Sequence, residues 1–185
     1  MPRSTSENRK AISLTGKRSL IKLASPRSSR SAVSSISGDT VLNQDFKEFI
    51  QSLNDNHVRY LVIGGYAVAL HGYPRYTQDI DIWIETTPDN AANMVKALEQ
   101  FGFGSLGLQA ADFVTPDQII QLGYPPNRID LVTTPPGVDF ESCYESRIKV
   151  EMDNVTVSFI DLENLKKSKR AAGRQQDLAD LENLQ

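Results

Sequence analysis

The stretch Asp79-Ile80-Asp81-Ile82-Trp83-Ile84-Glu85 puts an isoleucine at every second position. Side chains on a strand point alternately to opposite faces, so this pattern predicts a strand whose isoleucines fill a core. Asp79 and Asp81 then stand side by side on the other face. Two like charges so close repel one another. Such a pair is tolerable on a wet surface, or where a cation sits between the carboxylates; hard oxygen donors suit Mg²⁺ or Mn²⁺. By itself the strand reads as an exposed acidic face. Its neighbours change that reading.

Elements of both kinds flank it. Phe46, Phe49, Ile50 and Leu53 recur at helical spacing and mark an amphipathic helix. Residues 58–63 (VRYLVI) read as a buried strand, broken by Gly64-Gly65; Tyr66 to His71 reads as a short helix, ended by Gly72-Tyr73-Pro74. Pro88 and Asp89 open a helix to about Phe101, with Met94, Val95 and Leu98 inward. Gln118–Leu122 fits either a helix or a strand. Residues 128–133 (RIDLVT) form a third strand, and residues 149–152 and 155–160 flank Asp153-Asn154 as a hairpin. Asp161 caps a helix containing Leu162 and Leu165. Gly173 interrupts it, and a last helix uses Leu178, Leu181 and Leu184. The expected class is α/β (α+β), a small mixed sheet flanked by helices.

Charge divides the chain in two. Residues 1–40 carry eight Lys/Arg, two acidic residues and eleven serines; residues 41–185 carry twelve Lys/Arg and twenty-one Asp/Glu. The first segment has no periodic apolar face and is expected to be a disordered basic tail. Three readings stand for it: a tail that touches nucleic acid or an acidic surface, a targeting segment, or an over-extended start. The folded domain is expected over 41–185. No apolar run reaches the ~18 residues of a membrane span. The one cysteine, Cys143, excludes a disulfide framework, suits a cytoplasmic location, and has no basic neighbour to activate it.

The glycine pair and two further features surround the aspartates. Gly64-Gly65 at a strand-to-helix junction lets backbone N–H groups approach an anion. Asp130 lies mid-strand, on one face with Arg128 and Val132, and a buried charge there needs a partner. Lys166, Lys169 and Arg170 share a helical face, either simply solvated or aimed at phosphates. Thr77 either reaches a phosphate or satisfies a turn. Arg75 is read as neutralising the acidic cluster and His71 as packing after its helix. Trp83 is read as either stacking on a base or packing beneath a helix. Asp177 and Asp180 are read as partners of Arg174 and nearby lysines.

The run Gly64-Gly65-Tyr66-Ala67, His71-Gly72, Arg75, Thr77 and Asp79-Ile80-Asp81 resembles the signature of the DNA polymerase β-like nucleotidyltransferase superfamily. More narrowly it is similar to small bacterial AbiEii-type, toxin-like nucleotidyltransferases. The likeness extends to the run Lys169-Arg170-Ala171-Ala172-Gly173-Arg174 with Asp177, Asp180 and Leu181. It covers about residues 41–185. The resemblance implies a minimal nucleotidyltransferase fold that moves a nucleoside monophosphate from an NTP to an acceptor hydroxyl or phosphate and releases pyrophosphate. It implies that Asp79, Asp81 and Asp130 hold Mg²⁺ (or Mn²⁺), with Asp130 alternatively the general base. It implies that Gly64, Gly65 and Thr77 meet phosphates and that Lys169 and Arg174 neutralise the leaving group. Expected partners are NTP, an RNA (a tRNA end above all), protein or small-molecule acceptor, and an antitoxin protein.

Two other classes stay open: an antibiotic-type small-molecule nucleotidyltransferase, and a non-catalytic nucleotide- or partner-binding module. A nucleic-acid tether built on the basic tail rests on composition alone. The acidity of residues 41–185 disfavours a broad nucleic-acid surface.

Overall fold

The isoleucine face and the aliphatic runs around it assemble into one mixed sheet. The computed structural model describes residues 42–184 and the backbone of two short strands before them. These are β1 (Ala11–Ser13) and β2 (Ser19–Leu23). The remaining elements are α1 (Gln44–Asp55), β3 (Tyr60–Ile63), α2 (Gly64–Leu70), β4 (Asp79–Ile84) and α3 (Pro88–Phe101). A 3₁₀ turn (Gly104–Leu106) leads to α4 (Ala110–Val114), β5 (Gln118–Leu122) and β6 (Arg128–Val132). The chain ends in α5 (Phe140–Glu145), β7 (Ile148–Met152), β8 (Val155–Phe159), α6 (Leu162–Ala172) and α7 (Gln175–Asn183).

The sheet order is β1-β2-β5-β6-β4-β3-β8-β7. β4 lies at its centre, parallel to β6 and antiparallel to β3. β1 and β2 add to the outer edge, β2 running parallel to β5. Both strands fall within the segment expected to be a tail; the rest of 1–41 lies outside the described residues. Residues 118–122, open between helix and strand by sequence, form β5 because they pair with both β6 and β2. The hairpin of β7 and β8 turns on Asp153 and Asn154, at φ 50° and 65°. Asn and Asp tolerate that left-handed region best after glycine, as a tight hairpin turn requires.

The isoleucines do what their spacing predicts. Ile80, Ile82 and Ile84 are each 0% exposed and belong to one core with Phe46, Phe49, Ile50, Leu53, Met94 and Leu98. Helices α1 and α3 pack on each other through an edge-to-face contact of Phe49 and Phe101, centroids 5.0 Å apart. Asn43 and Thr87 cap these two helices through their side chains, and Pro88 occupies the first turn of α3. Among the described residues no helix is long and apolar enough to cross a membrane.

The last helix departs from its expected pattern. Of Leu178, Leu181 and Leu184, only Leu184 is buried, and Leu178 is half exposed. The inward positions of α7 are instead Asp177 and Asp180, at 2% and 0% exposure. Periodicity set the helix; an ionic partner on α6 set which face turned inward.

Ile82→Ala removes buried methyl groups from the central strand on the face opposite Asp79 and Asp81. It is expected to cost about 2–5 kcal/mol of unfolding free energy. Urea denaturation followed by circular dichroism measures this; a loss under about 1 kcal/mol contradicts the packing role given to this face.

Candidate active site

Strand register brings the three aspartates together. In the β4–β6 ladder Asp79 stands opposite Arg128 and Asp81 opposite Asp130. Paired residues of neighbouring strands project to the same side of a sheet. Asp79, Asp81, Arg128 and Asp130 therefore form one block of three carboxylates and a guanidinium. The same side carries Trp83, 3% exposed, whose ring packs edge-on against Phe140 and whose Nε1–H donates to the Thr133 carbonyl at 3.3 Å. Of the two readings of Trp83, packing is the one the structure takes.

The partners of the carboxylates differ. Arg128 donates from Nε to Asp130 Oδ1 at 2.8 Å and from Nη2 to Asp130 Oδ2 at 3.1 Å, and its Nη2 also pairs with Asp79. Gln121 adds a donor to Asp130 at 3.1 Å. Thr77 Oγ1 donates to Asp79 Oδ1 at 2.7 Å, so its hydroxyl orients this carboxylate. Asp81 accepts no side-chain hydrogen bond among the described residues. It lies against Gly64: a Cβ built on that glycine would stand 1.9 Å from Asp81 Oδ2. Gly64 also has φ +63°, so any other residue there would be both strained and blocked. Gly65 is buried against Thr77, where an added Cβ would meet the threonine side chain at 3.0 Å.

Burial, reinforced by the negative charges of Asp130 and Asp79, pushes the Asp81 carboxyl up to about 6. Arg174 and Lys169 oppose that shift from across the cleft. Burial also raises Asp130, against the pull of the Arg128 guanidinium.

The cleft beside Asp81 is lined by Gly64, Val132, Pro135, Leu165, Lys169 and Arg174, among others. A larger hollow of about 270 Å³, bordered by Gln44, Lys47, Gln51 and Gln100, lies elsewhere, along α1 and the end of α3. It gathers none of the aspartates, so size does not make it the site.

The basic C-terminal residues divide. Lys169 is buried and donates to Asp177 at 3.1 Å and Asp180 at 2.7 Å. Arg75 reaches the same Asp180 at 3.0 Å from the loop before β4, and Arg174 pairs with Asp177 at 2.6 Å. Burial raises the two carboxyls, but hydrogen bonds and charge from Lys169, together with Arg174 at Asp177, outweigh it and hold both below the usual range. This network ties α6 and α7 to the loop that carries Thr77. Arg75 is thus a structural partner of α7, and Lys169 borders the cleft while committed to two aspartates. Lys166, expected on one phosphate-facing side with Lys169 and Arg170, lies near Glu163 at 3.8 Å, and Arg170 is exposed. Of the expected basic group, Arg174 has a largely exposed side chain at the cleft. His71 Nε2 lies 2.9 Å from the Ile160 carbonyl, in keeping with a packing role. Cys143 is buried, with its thiol pushed up to about 11 chiefly by that burial.

Sequence reasoning did not foresee the clasp of Arg128. Its shared face with Asp130 was visible two residues away; its contact with Asp79 was not, because that depends on strand register. Among the described residues no three His, Cys, Asp or Glu side chains already converge as a metal cage. The donor chemistry nevertheless fits a hard cation. The set is all oxygen, and Asp81 is half-buried, unpaired by hydrogen bonds and repelled by two neighbours, a repulsion that a divalent ion would relieve.

Residues 41–185 match the model of a family described as "Nucleotidyltransferase of unknown function (DUF6036)". Among solved structures, the chain is similar to an antigenic nucleotidyltransferase-like protein from Paracoccidioides brasiliensis. That likeness has 21% identity and a TM-score of 0.46, over 75% of this chain and 72% of the other. A candidate nucleotidyltransferase from Thermotoga maritima is 17% identical, with a TM-score of 0.48 over 75% of this chain and 88% of its own. Likenesses this distant carry no functional argument. No curated protein gives a significant sequence match.

Two outcomes test the electrostatics. The raised carboxyl of Asp81 stabilises the fold below the unfolded aspartate value of about 3.9 and loses that contribution as pH rises through about 6. Asp81→Asn is therefore expected to raise the melting temperature at pH 7.5, with the gain vanishing by about pH 4. A gain that is independent of pH contradicts the assignment. Lys169→Met removes the buried cation shared by Asp177 and Asp180, leaving them Arg174 and Arg75, and is expected to cost about 3 kcal/mol at neutral pH. Because Asp177 and Asp180 are held low, the lost stability returns as acid protonates them, which melting curves across pH 3–7 measure.

Proposed function

The chain belongs to the DUF6036 family of nucleotidyltransferases, and from that premise we propose that it transfers a nucleoside monophosphate from an NTP to an acceptor oxygen. In the reaction the acceptor oxygen bonds to the α-phosphorus, the bond from that phosphorus to the β-phosphate oxygen breaks, and pyrophosphate departs. One observation carries the reading: the register that sets Asp81 beside Asp130 and Asp79 beside Arg128, with Asp81 itself lining a cleft bordered by Gly64 and Arg174.

Asp79, Asp81 and Asp130 are the residues that would hold Mg²⁺ or Mn²⁺. When bound, such ions neutralise the triphosphate and lower the pKa of an acceptor oxygen. The remaining work falls to the chain's own groups. Thr77 fixes the rotamer of Asp79. Gly64 keeps the backbone close to Asp81, and α2 begins there without a side-chain cap, so its first amides are available to a phosphate. Arg174, exposed at the cleft, supplies charge to the leaving pyrophosphate. Lys169 acts mainly by holding α6 on α7, a position that keeps Arg174 at the cleft. Val132, Pro135 and Leu165 offer an apolar lining to the base or sugar. Alternatively Asp130, whose carboxyl burial raises, takes the acceptor proton as general base instead of holding metal.

Among acceptors, RNA or protein is placed first on the AbiEii-type likeness of residues 64–81 and 169–181, with an antitoxin protein as the matching partner. A small hydroxylated molecule is the alternative. A second reading, a non-catalytic binding module, is favoured by one fact: Arg128 pairs with both Asp79 and Asp130.

Incubation with each labelled NTP, Mg²⁺ and total RNA or protein extract tests these readings. Label transfer is expected, and Asp79→Asn/Asp81→Asn is expected to reduce it by at least about 10³-fold. Transfer that survives the double substitution removes the metal assignment. Tight NTP binding without transfer supports the binding module.

A further inference from the structure

Arg128 is the feature that the proposed chemistry does not absorb. Its side chain is 27% exposed, beside Asp79 at 28% and Asp130 at 9%. It is held in place by the ladder rather than by a chance rotamer: residue 128 faces residue 79 directly across parallel strands, and residue 130 is its same-face neighbour two positions on. A guanidinium forks naturally onto carboxylates, and here one fork serves two of them. Each carboxylate also has a neutral donor, Thr77 for Asp79 and Gln121 for Asp130. Asp81, the third of the set, feels the charge of Arg128 but takes no hydrogen bond from it.

We infer that Arg128 is a resident cation of this site, occupying the space between Asp79 and Asp130 that a divalent ion needs, so that metal enters by displacing it. The inference rests on the nucleotidyltransferase reading above and adds a specific role for a residue that reading leaves idle. A metal arriving alone must break the charge-assisted bonds of Arg128 and leave its guanidinium beside a new positive charge. A metal arriving with a triphosphate does not, because the phosphate oxygens accept the freed fork. Arg128 thereby couples metal entry to nucleotide entry. It is a positioning residue: it acts through Asp79 and Asp130 rather than on the reacting atoms.

Calorimetry with Mn²⁺, with and without a non-hydrolysable NTP analogue, reads this directly. In the wild-type chain Mn²⁺ alone is expected to bind weakly and the analogue to tighten it. Arg128→Gln is expected to strengthen binding of Mn²⁺ alone by about tenfold, the scale of one charge-assisted hydrogen bond, and to reduce the tightening by the analogue. Arg128→Lys keeps the charge but not the fork and is expected to fall between the two. Melting curves establish that each variant is folded. If folded Arg128→Gln binds Mn²⁺ no more tightly than wild type while both bind it with the analogue, the displacement idea is overturned and the enzyme reading stands. If neither protein binds Mn²⁺ under either condition, both the inference and the reading beneath it are overturned.

Discussion

The parallel pairing of β4 with β6 is the constraint on which the site depends. It sets Asp81 against Asp130 and Asp79 against Arg128. A slip of one residue would send one strand's polar groups to the opposite side of the sheet, because the side-chain period along a strand is two. That slip is resisted from the other face. Ile80, Ile82 and Ile84 are completely enclosed, and displacing them would expose three large aliphatic side chains. The apolar side of one strand thus holds the register that groups the charges on its polar side.

The charges are managed in two separate units. One is the clasp of Arg128 on Asp79 and Asp130, which leaves Asp81 unpaired by hydrogen bonds. The other is the buried network of Lys169 with Asp177 and Asp180, extended by Arg75 and Arg174. The second unit is structural in its contacts yet borders the same cleft. The two also respond to pH in opposite directions. The raised carboxyl of Asp81 favours the fold in acid, whereas the depressed carboxyls of Asp177 and Asp180 favour it at neutral pH. A fold that keeps Asp81 half-buried among like charges accepts lower stability at neutral pH, a pattern common where charge is held for chemistry.

The polymerase β-like resemblance and the family match agree at the level of a nucleotidyltransferase. The narrower AbiEii-type likeness enters only the choice of acceptor. What geometry adds to the family is a division of labour among basic residues. Arg128 serves the carboxylates, Lys169 and Arg75 the packing of α7, and Arg174 stands exposed at the cleft.

Several elements were legible because their causes are local. Alternation at 79–84 specified a strand and the shared face of its aspartates. Helical spacing specified α1, proline at the first turn placed the start of α3, and Asp153-Asn154 specified the hairpin of β7 and β8. These follow from the backbone period and from side chains bonding within a few residues. Other features were decided only by tertiary structure. Residues 118–122 became a strand because partners lay on both sides, and α7 turned Asp177 and Asp180 inward because Lys169 waited there. Arg128 met Asp79 across 49 positions of sequence because the core fixed a register. The sequence by itself determined which residues share a face; the fold decided which charges meet, since a charge's partner is set by distance in space, and no local period encodes that.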